Sequence, residues 1–362
     1  MATFIVLYGT IVLADQTSPK NDLVTIYIPA FSGPDEIGLN VGTVLNLQIW
    51  RTLRKAANNK TFGRGLVVWS EAPLNTRSFD EVNEFSRVGL AFGGGKRVYP
   101  QLVFWGNARQ FGSGIVVESF LSIPPAYIPG VCDGWDVIIP DKQGDFRIHA
   151  DFPQHRYEFT PIVLKKELLE KYSKPTALQI YANPTSNVPI GEVGLAFEAR
   201  EQREGGVILK SNGKVGWVPL PQLSENRNEV VDFVAGVIRI FRADWDGADA
   251  LFDRVVKDTQ ASTTLRIDAS LYQVMSKTKA GKDASQSLAR AKELAPFYYG
   301  STVYSVMAKL EMLGKAAPHS PMKVQSLMSE IKEELSKDDA LFMPNDPWRS
   351  SVLSFLEQYG NE

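Results

Sequence analysis

The side chains able to do chemistry are few: the 362 residues hold one Cys and three His. One Cys cannot pair within its own chain, and the usual Cys-rich zinc site needs more thiols than this. Cys132, His149, His155 and the carboxylates Asp133, Asp136, Asp141, Asp145 and Asp151 fall within one short stretch. A hydrolase could be written on it, with Cys132 as nucleophile and His149 as base. Two features argue against that. The two His stand six apart beside prolines, whereas a zinc-binding helix sets them four apart, and nothing resembles a nucleophile elbow. Aspartates also serve readily in solvated turns. The expectation is a non-enzymatic chain with no catalytic, metal or cofactor-binding residue.

Two further runs invite a test. Gly93-Gly94-Gly95-Lys96 resembles part of a phosphate loop, but Leu90 stands where the first glycine belongs and Arg97 where the hydroxyl belongs. The run also precedes a predicted strand, which removes the helix N-terminus that would hold an anion. It reads as a surface loop. Asp244-Trp245-Asp246-Gly247 suggests a calcium loop, yet the alternating ligands, the glycine at the sixth position and the closing Glu are missing, so a turn between helices explains it.

The elements that must carry these residues divide the chain into parts. With 39 basic and 41 acidic side chains the chain is near neutral, which gives no reason to expect nucleic acid as a partner. Residues 1–14 contain a ten-residue apolar run, too short to span a bilayer, and Val12-Leu13-Ala14 fits a cleavage site ahead of Asp15. They read as a signal peptide without its positive n-region, which implies a periplasmic protein; a buried first strand is the alternative, and retention of Met1 would imply the cytoplasm. No integral membrane span is expected.

Residues 22–123 give the order β-α-β-α-β-β, an α+β layer. Strands are predicted at Val24–Phe31, Gly65–Trp69, Gln101–Gln110 and Gly114–Ile123, with a hairpin turn at Phe111-Gly112-Ser113. Helices are predicted from Ile37 to Leu53 and from Ser78 to Arg87. Repeated prolines make residues 124–174 an irregular connector with a short helix at Lys165–Tyr172. Residues 175–224 hold short strands at the spacing of a small barrel, with Asn212-Gly213 as the strongest turn signal.

From 225 to 362 helical periods take over. Gly236, Ala248, Phe252 and Val255 recur 36 residues later as Tyr272, Ala284, Leu288 and Ala291. Small residues at such points let antiparallel helices approach closely. A third helix is predicted at Thr302–Leu313. The tail from Met322 carries four basic and eight acidic side chains and is expected to add two capping helices.

Three resemblances follow from these residues. The stretches VTIYIPAFSG, IWRTLRK and LVFWGNARQFGSGIVVESFLSI make residues 22–123 similar to the N-terminal domain of TolB-like proteins. Pro184, Pro189-Ile190-Gly191 and Gly213-Lys214-Val215-Gly216-Trp217-Val218 resemble the bacterial Src-homology-3-like (SH3-like) domain. The 36-residue recurrence resembles tetratricopeptide (TPR) repeats, departing from them at Tyr272 and in the missing first proline, where Gln260 stands. Together they imply a multi-domain α+β protein: a TolB-like domain, an SH3-like β barrel and TPR-like helices. The implied work is protein contact, with a protein, a peptide or a cell-wall component as partner, in a scaffold of the bacterial envelope. Trp217, Gly236, Ala248, Phe252, Ala284 and Ala291 are the hallmark positions. A cytoplasmic sensor binding a small ligand in the first domain is the alternative, beside the hydrolase.

Overall fold

The structure, a computed structural model, describes residues 23–33, 64–73, 90–92, 96–98, 102–124, 134–141, 144–153, 156–158, 161–164, 178–193, 196–203, 205–219 and 228–360. Residues 1–14, the helices predicted within 37–53, 78–87 and 165–172, the glycines 93–95, and Cys132, Asp133 and His155 lie outside these. The described fold is mixed α/β, with strands in the first two thirds and seven helices at the C-terminal end.

The first apolar run forms β1 (Leu23–Ala30), which pairs in parallel with β2 (Arg64–Pro73) on one side and with β5 (Leu102–Phe111) on the other. Two three-residue strands, β3 (Leu90–Phe92) and β4 (Lys96–Val98), pair with each other and flank the glycine run, so Lys96 opens a strand, not a helix. β5 turns through Gly112, in left-handed backbone at φ 59°, into β6 (Gly114–Ser122). This is the predicted hairpin with a two-residue turn.

The described residues of the segment expected to be an irregular connector form strands, which corrects that expectation for them. It contains β7 (Gly134–Ile139), β8 (Phe146–Asp151), β9 (Arg156–Glu158) and β10 (Ile162–Leu164). The last two pair with β6, while β7 and β8 form a separate antiparallel hairpin. Pro140 and Pro153 sit just after the strands they follow, where a missing N–H breaks no ladder bond.

β11 (Gln179–Tyr181), β12 (Pro189–Glu192), β13 (Ala196–Arg203), β14 (Gly206–Ser211) and β15 (Lys214–Pro219) follow. Asn212 and Gly213 both take positive φ, 49° and 78°, the two-residue turn whose twist suits a hairpin. β13 lies antiparallel on β2, so a single eleven-stranded sheet runs β10-β6-β5-β1-β2-β13-β14-β15-β11-β12, with β9 beside β6. The 22–123 and 175–224 segments therefore share one sheet.

The helices are α1 (Asn228–Phe241), α2 (Trp245–Lys257), α3 (Thr263–Lys279), α4 (Ser285–Leu294), α5 (Tyr299–Ala316), α6 (Pro321–Lys337) and α7 (Pro347–Gly360). Each packs on the next, and α3 also packs on α1 and α5. Asp244 caps α2: its carboxylate accepts from the Gly247 amide at 3.1 Å and pairs with Arg239, which accounts for the Asp-Trp-Asp-Gly run. Pro321 stands in the first turn of α6, where its missing N–H costs nothing. Glu334 ties three helices together, accepting from Lys292 on α4 at 2.9 Å and from Lys309 and Ser305 on α5 at 2.8 and 2.9 Å. Burial works to raise its pKa, but these donors outweigh it and hold the carboxyl below its ordinary value. Among the described residues no helix is long and apolar enough to cross a membrane.

Candidate functional site

The hallmark residues named from the helical segment are packing positions, at α1 and α2 and at α4. A Cβ added at Gly236 would stand 2.7 Å from the Phe252 ring, so the glycine admits α1 against α2, and Ala248 and Phe252 are fully buried there. Ala291 is buried between α3 and its neighbours, and Ala284 lies half-buried just ahead of α4. Trp217 stands apart from these helices, on β15 of the sheet. Its indole lies over Gly206, where a Cβ would meet Nε1 at 2.5 Å, and it faces Tyr181 at 6.2 Å between ring centroids. The glycines at 205 and 206 make room for this ring. These six residues do not converge on a common site.

The residues that do converge come from the segment expected to be irregular. Alternation along β7 and β8 puts Trp135, Val137, Ile139, Ile148 and Ala150 on one buried face. That face lies on the helices: Trp135 meets Tyr304 of α5 at 5.6 Å, and Phe146 meets Phe355 of α7 at 5.1 Å. Just beyond β8, Phe152 contacts Phe241 of α1 and Tyr272 of α3. The Lys279 ammonium on α3 donates to the Asp136 carbonyl at 2.9 Å and pairs with Glu311 at 2.7 Å. The side of the array made by α1, α3, α5 and α7 thus holds the chain's own hairpin.

The opposite face of the hairpin carries the polar cluster. Asp136 stands directly across from His149. The Arg147 guanidinium donates to both Asp136 oxygens at 2.9 and 2.8 Å, and His149 Nδ1 lies 3.0 Å from Asp136 Oδ1. Its Nε2 lies 3.1 Å from Asp151 Oδ1. A carboxylate at each ring nitrogen fixes the orientation of the imidazole. Burial pushes the Asp136 pKa up, but the bonds from His149 and Arg147 win and hold it well below the ordinary carboxylate range.

That sets a sign. A carboxyl with a lowered folded pKa gives stability that is complete above its unfolded value and fades as pH falls below it. The facing charges are His149 and Arg147 on β8, Asp151 beyond His149, and Lys279 with Glu311 from the helices. The melting temperature of the native chain should exceed that of Asp136→Asn at about pH 6, and the gap should begin to narrow below about pH 4 and go on narrowing as acid titrates the lowered carboxyl. An equal gap at about pH 3 would show that the Asp136 charge is not what holds the hairpin.

Beside β8 opens a pocket of about 1130 Å³. Its walls are residues 146–153, the start of α5 at Tyr299, Gly300 and Val303, and the segment leading into α7 with Phe342, Asp346 and Trp348. Phe342 stacks on Trp348 at 6.1 Å and receives the edge of Tyr299 at 6.2 Å. The pocket mouth has apolar neighbours in sequence that face solvent: Phe297 is 87% exposed, Tyr299 50% and Met343 82%.

No protein-family model, no curated protein and no solved structure matches this chain. The site is therefore read from its own geometry. Sequence reasoning named Asp136, His149 and Asp151 but not their arrangement, and it missed the pocket. The available signal was the alternation Trp135, Val137, Ile139 and Phe146, Ile148, Ala150, Phe152, which marks two half-buried strands.

Proposed function

We propose that this chain is a non-enzymatic protein-binding adaptor whose helical array, stabilised by the chain's own sheet and hairpin, presents the pocket beside β8 to a protein partner. The TolB-like, SH3-like and TPR-like resemblances enter this proposal as the modules involved, and the envelope enters it through the first 14 residues alone. One observation carries the reading most directly: Tyr299 on the wall of an aromatic pocket is half exposed, and Phe297 and Met343, close in sequence to the wall residues Tyr299 and Phe342, stand in water. Such a grouping on a soluble surface marks a contact site. The array already holds one extended segment, the hairpin, by aromatic packing and by a lysine on a backbone carbonyl.

The test is cross-linking in the native cell with the full chain and with the double variant Phe297→Ser, Met343→Ser. Both side chains are exposed, so the fold should persist with less than about 0.5 kcal/mol of change. The native chain should capture a defined partner that the variant loses. Identical capture by both would remove the pocket mouth from the contact, and mass measurement of the native N-terminus decides the compartment.

A further inference from the structure

We propose that the pocket beside β8 binds a basic side chain, Lys or Arg, of an extended partner segment, with Tyr299, Phe342 and Trp348 as the aromatic wall and Asp151 and Asp346 as the counter-charges. This rests on the adaptor reading and goes beyond it by assigning the chemistry of the ligand.

The three rings come from two stretches of chain and are held against one another by stacked and edge-on contacts. Ring faces attract cations through their quadrupole, most strongly where water is partly excluded, and a cluster of rings around a recess is the arrangement that selects an ammonium or guanidinium. The two carboxylates reach the same recess from different elements, Asp151 from the end of β8 and Asp346 from the residue before α7. Each has one oxygen committed locally. Asp151 Oδ1 lies 3.1 Å from His149 Nε2, and Asp346 Oδ1 accepts the Arg349 amide at 2.8 Å. The second oxygen of each accepts from no other group among the described residues. Both charges are felt at the Tyr299 phenol, whose pKa is raised first by burial, then by Asp346, then by Asp151.

The nearby cations do not reverse the argument. Arg147 gives both of its described bonds to Asp136, and His149 lies between Asp136 and Asp151. Arg349 turns its terminal nitrogen to Asp339 at 2.5 Å. A ligand cation would meet an aromatic surface edged by carboxylates, with the fixed positive groups already matched. The exposed Phe297 and Met343, two residues from Tyr299 and one from Phe342 along the chain, favour a peptide over a free metabolite, since they offer apolar contact to residues flanking the basic one.

The experiment uses the full chain labelled at its tryptophan indoles, with the Trp348 resonance assigned from Trp348→Phe. The probes are choline, its neutral isostere 3,3-dimethylbutanol, N-acetyl-lysine methylamide and N-acetyl-arginine methylamide. The cationic probes should shift the Trp348 resonance and the neutral isostere should not. Asp346→Asn keeps a helix-capping side chain, and Asp151→Asn keeps an acceptor for His149, so both variants should fold. Each should weaken the cationic probes about fivefold, and together they should abolish the shift. Equal binding of the neutral isostere, or unchanged affinity in the double variant, overturns the proposal. Selection of peptides from a displayed library on the same chain separates the two readings. Selected peptides without a basic residue would overturn the cation pocket and leave the adaptor standing. Cationic probes that bind while no peptide is selected would keep the pocket's chemistry, but overturn the partner segment and the adaptor with it.

Discussion

Replacing Tyr272 with Ala should cost about 4 kcal/mol of folding stability, within the range for deleting a large buried ring, and should lower the urea midpoint of the whole chain. Tyr272 is fully buried on α3, at the point where three parts of the molecule meet. It stacks on Phe252 of α2 at 5.3 Å and 16°, receives Phe233 of α1 at 5.5 Å, meets Tyr304 of α5 at 6.5 Å, and takes Phe152 from the hairpin side at 5.3 Å. A change to Ala leaves a cavity whose walls belong to three helices and the segment after β8, so no single element can collapse into it. Tyr272→Phe keeps the ring and its aromatic contacts and should cost far less. A loss below about 1.5 kcal/mol for Tyr272→Ala would mean that the helices do not depend on this junction.

The same residue shows what could be read from the sequence and what could not. Periodicity placed Tyr272 opposite Gly236 in a recurring pattern and marked it as the departure, a large ring where a small residue is expected. The departure has a physical cause only in three dimensions, because the ring meets Phe152 from a segment about 120 residues earlier. Local signals performed well where local chemistry decides. Asn212-Gly213 gave its turn and Gly236 its close approach to Phe252. They failed where distant residues decide. Prolines at 140 and 153 outweighed a clear two-residue alternation on either side, although a proline just beyond a strand end removes no ladder bond.

The sheet was hidden for a related reason. Nothing in LVVW or in AFEAR announces that Phe197 will stand beside Val67, because pairing partners are chosen by the whole fold. The pocket is more remote still from any local pattern. Its walls come from residues 146–153, 299–303 and 342–358, and neither Asp151 nor Asp346 has a partner at a motif spacing. The scarcity of Cys and His drew attention to residues 132–155, but the alternation of β7 and β8 decides which way the side chains of those strands face.

The second large effect is expected at the joint between sheet and helices. Tyr157 on β9 stands opposite Leu121 of β6, and its hydroxyl donates to Asp268 Oδ2 on α3 at 2.8 Å. Asp268 is fully buried and Tyr157 nearly so. Burial first, then the Asp268 charge, pushes the Tyr157 phenol well above its ordinary value, so it stays protonated and remains a donor. Tyr157→Phe keeps the packing against Phe233 at 4.6 Å and removes only that donor from a buried carboxylate. Removing one partner of such a pair is costly because the remaining charge loses a bond it cannot recover from water; about 3 kcal/mol is expected. Asp268→Asn leaves an acceptor in place with no charge to satisfy and should cost less. The two changes share one bond, so the double variant should be more stable than the sum of the single losses predicts, by at least about 1 kcal/mol. Urea denaturation of the four proteins measures this directly. Additive losses would mean that the hydroxyl and the carboxylate do not act as a pair, and that aromatic packing alone joins the sheet to α3.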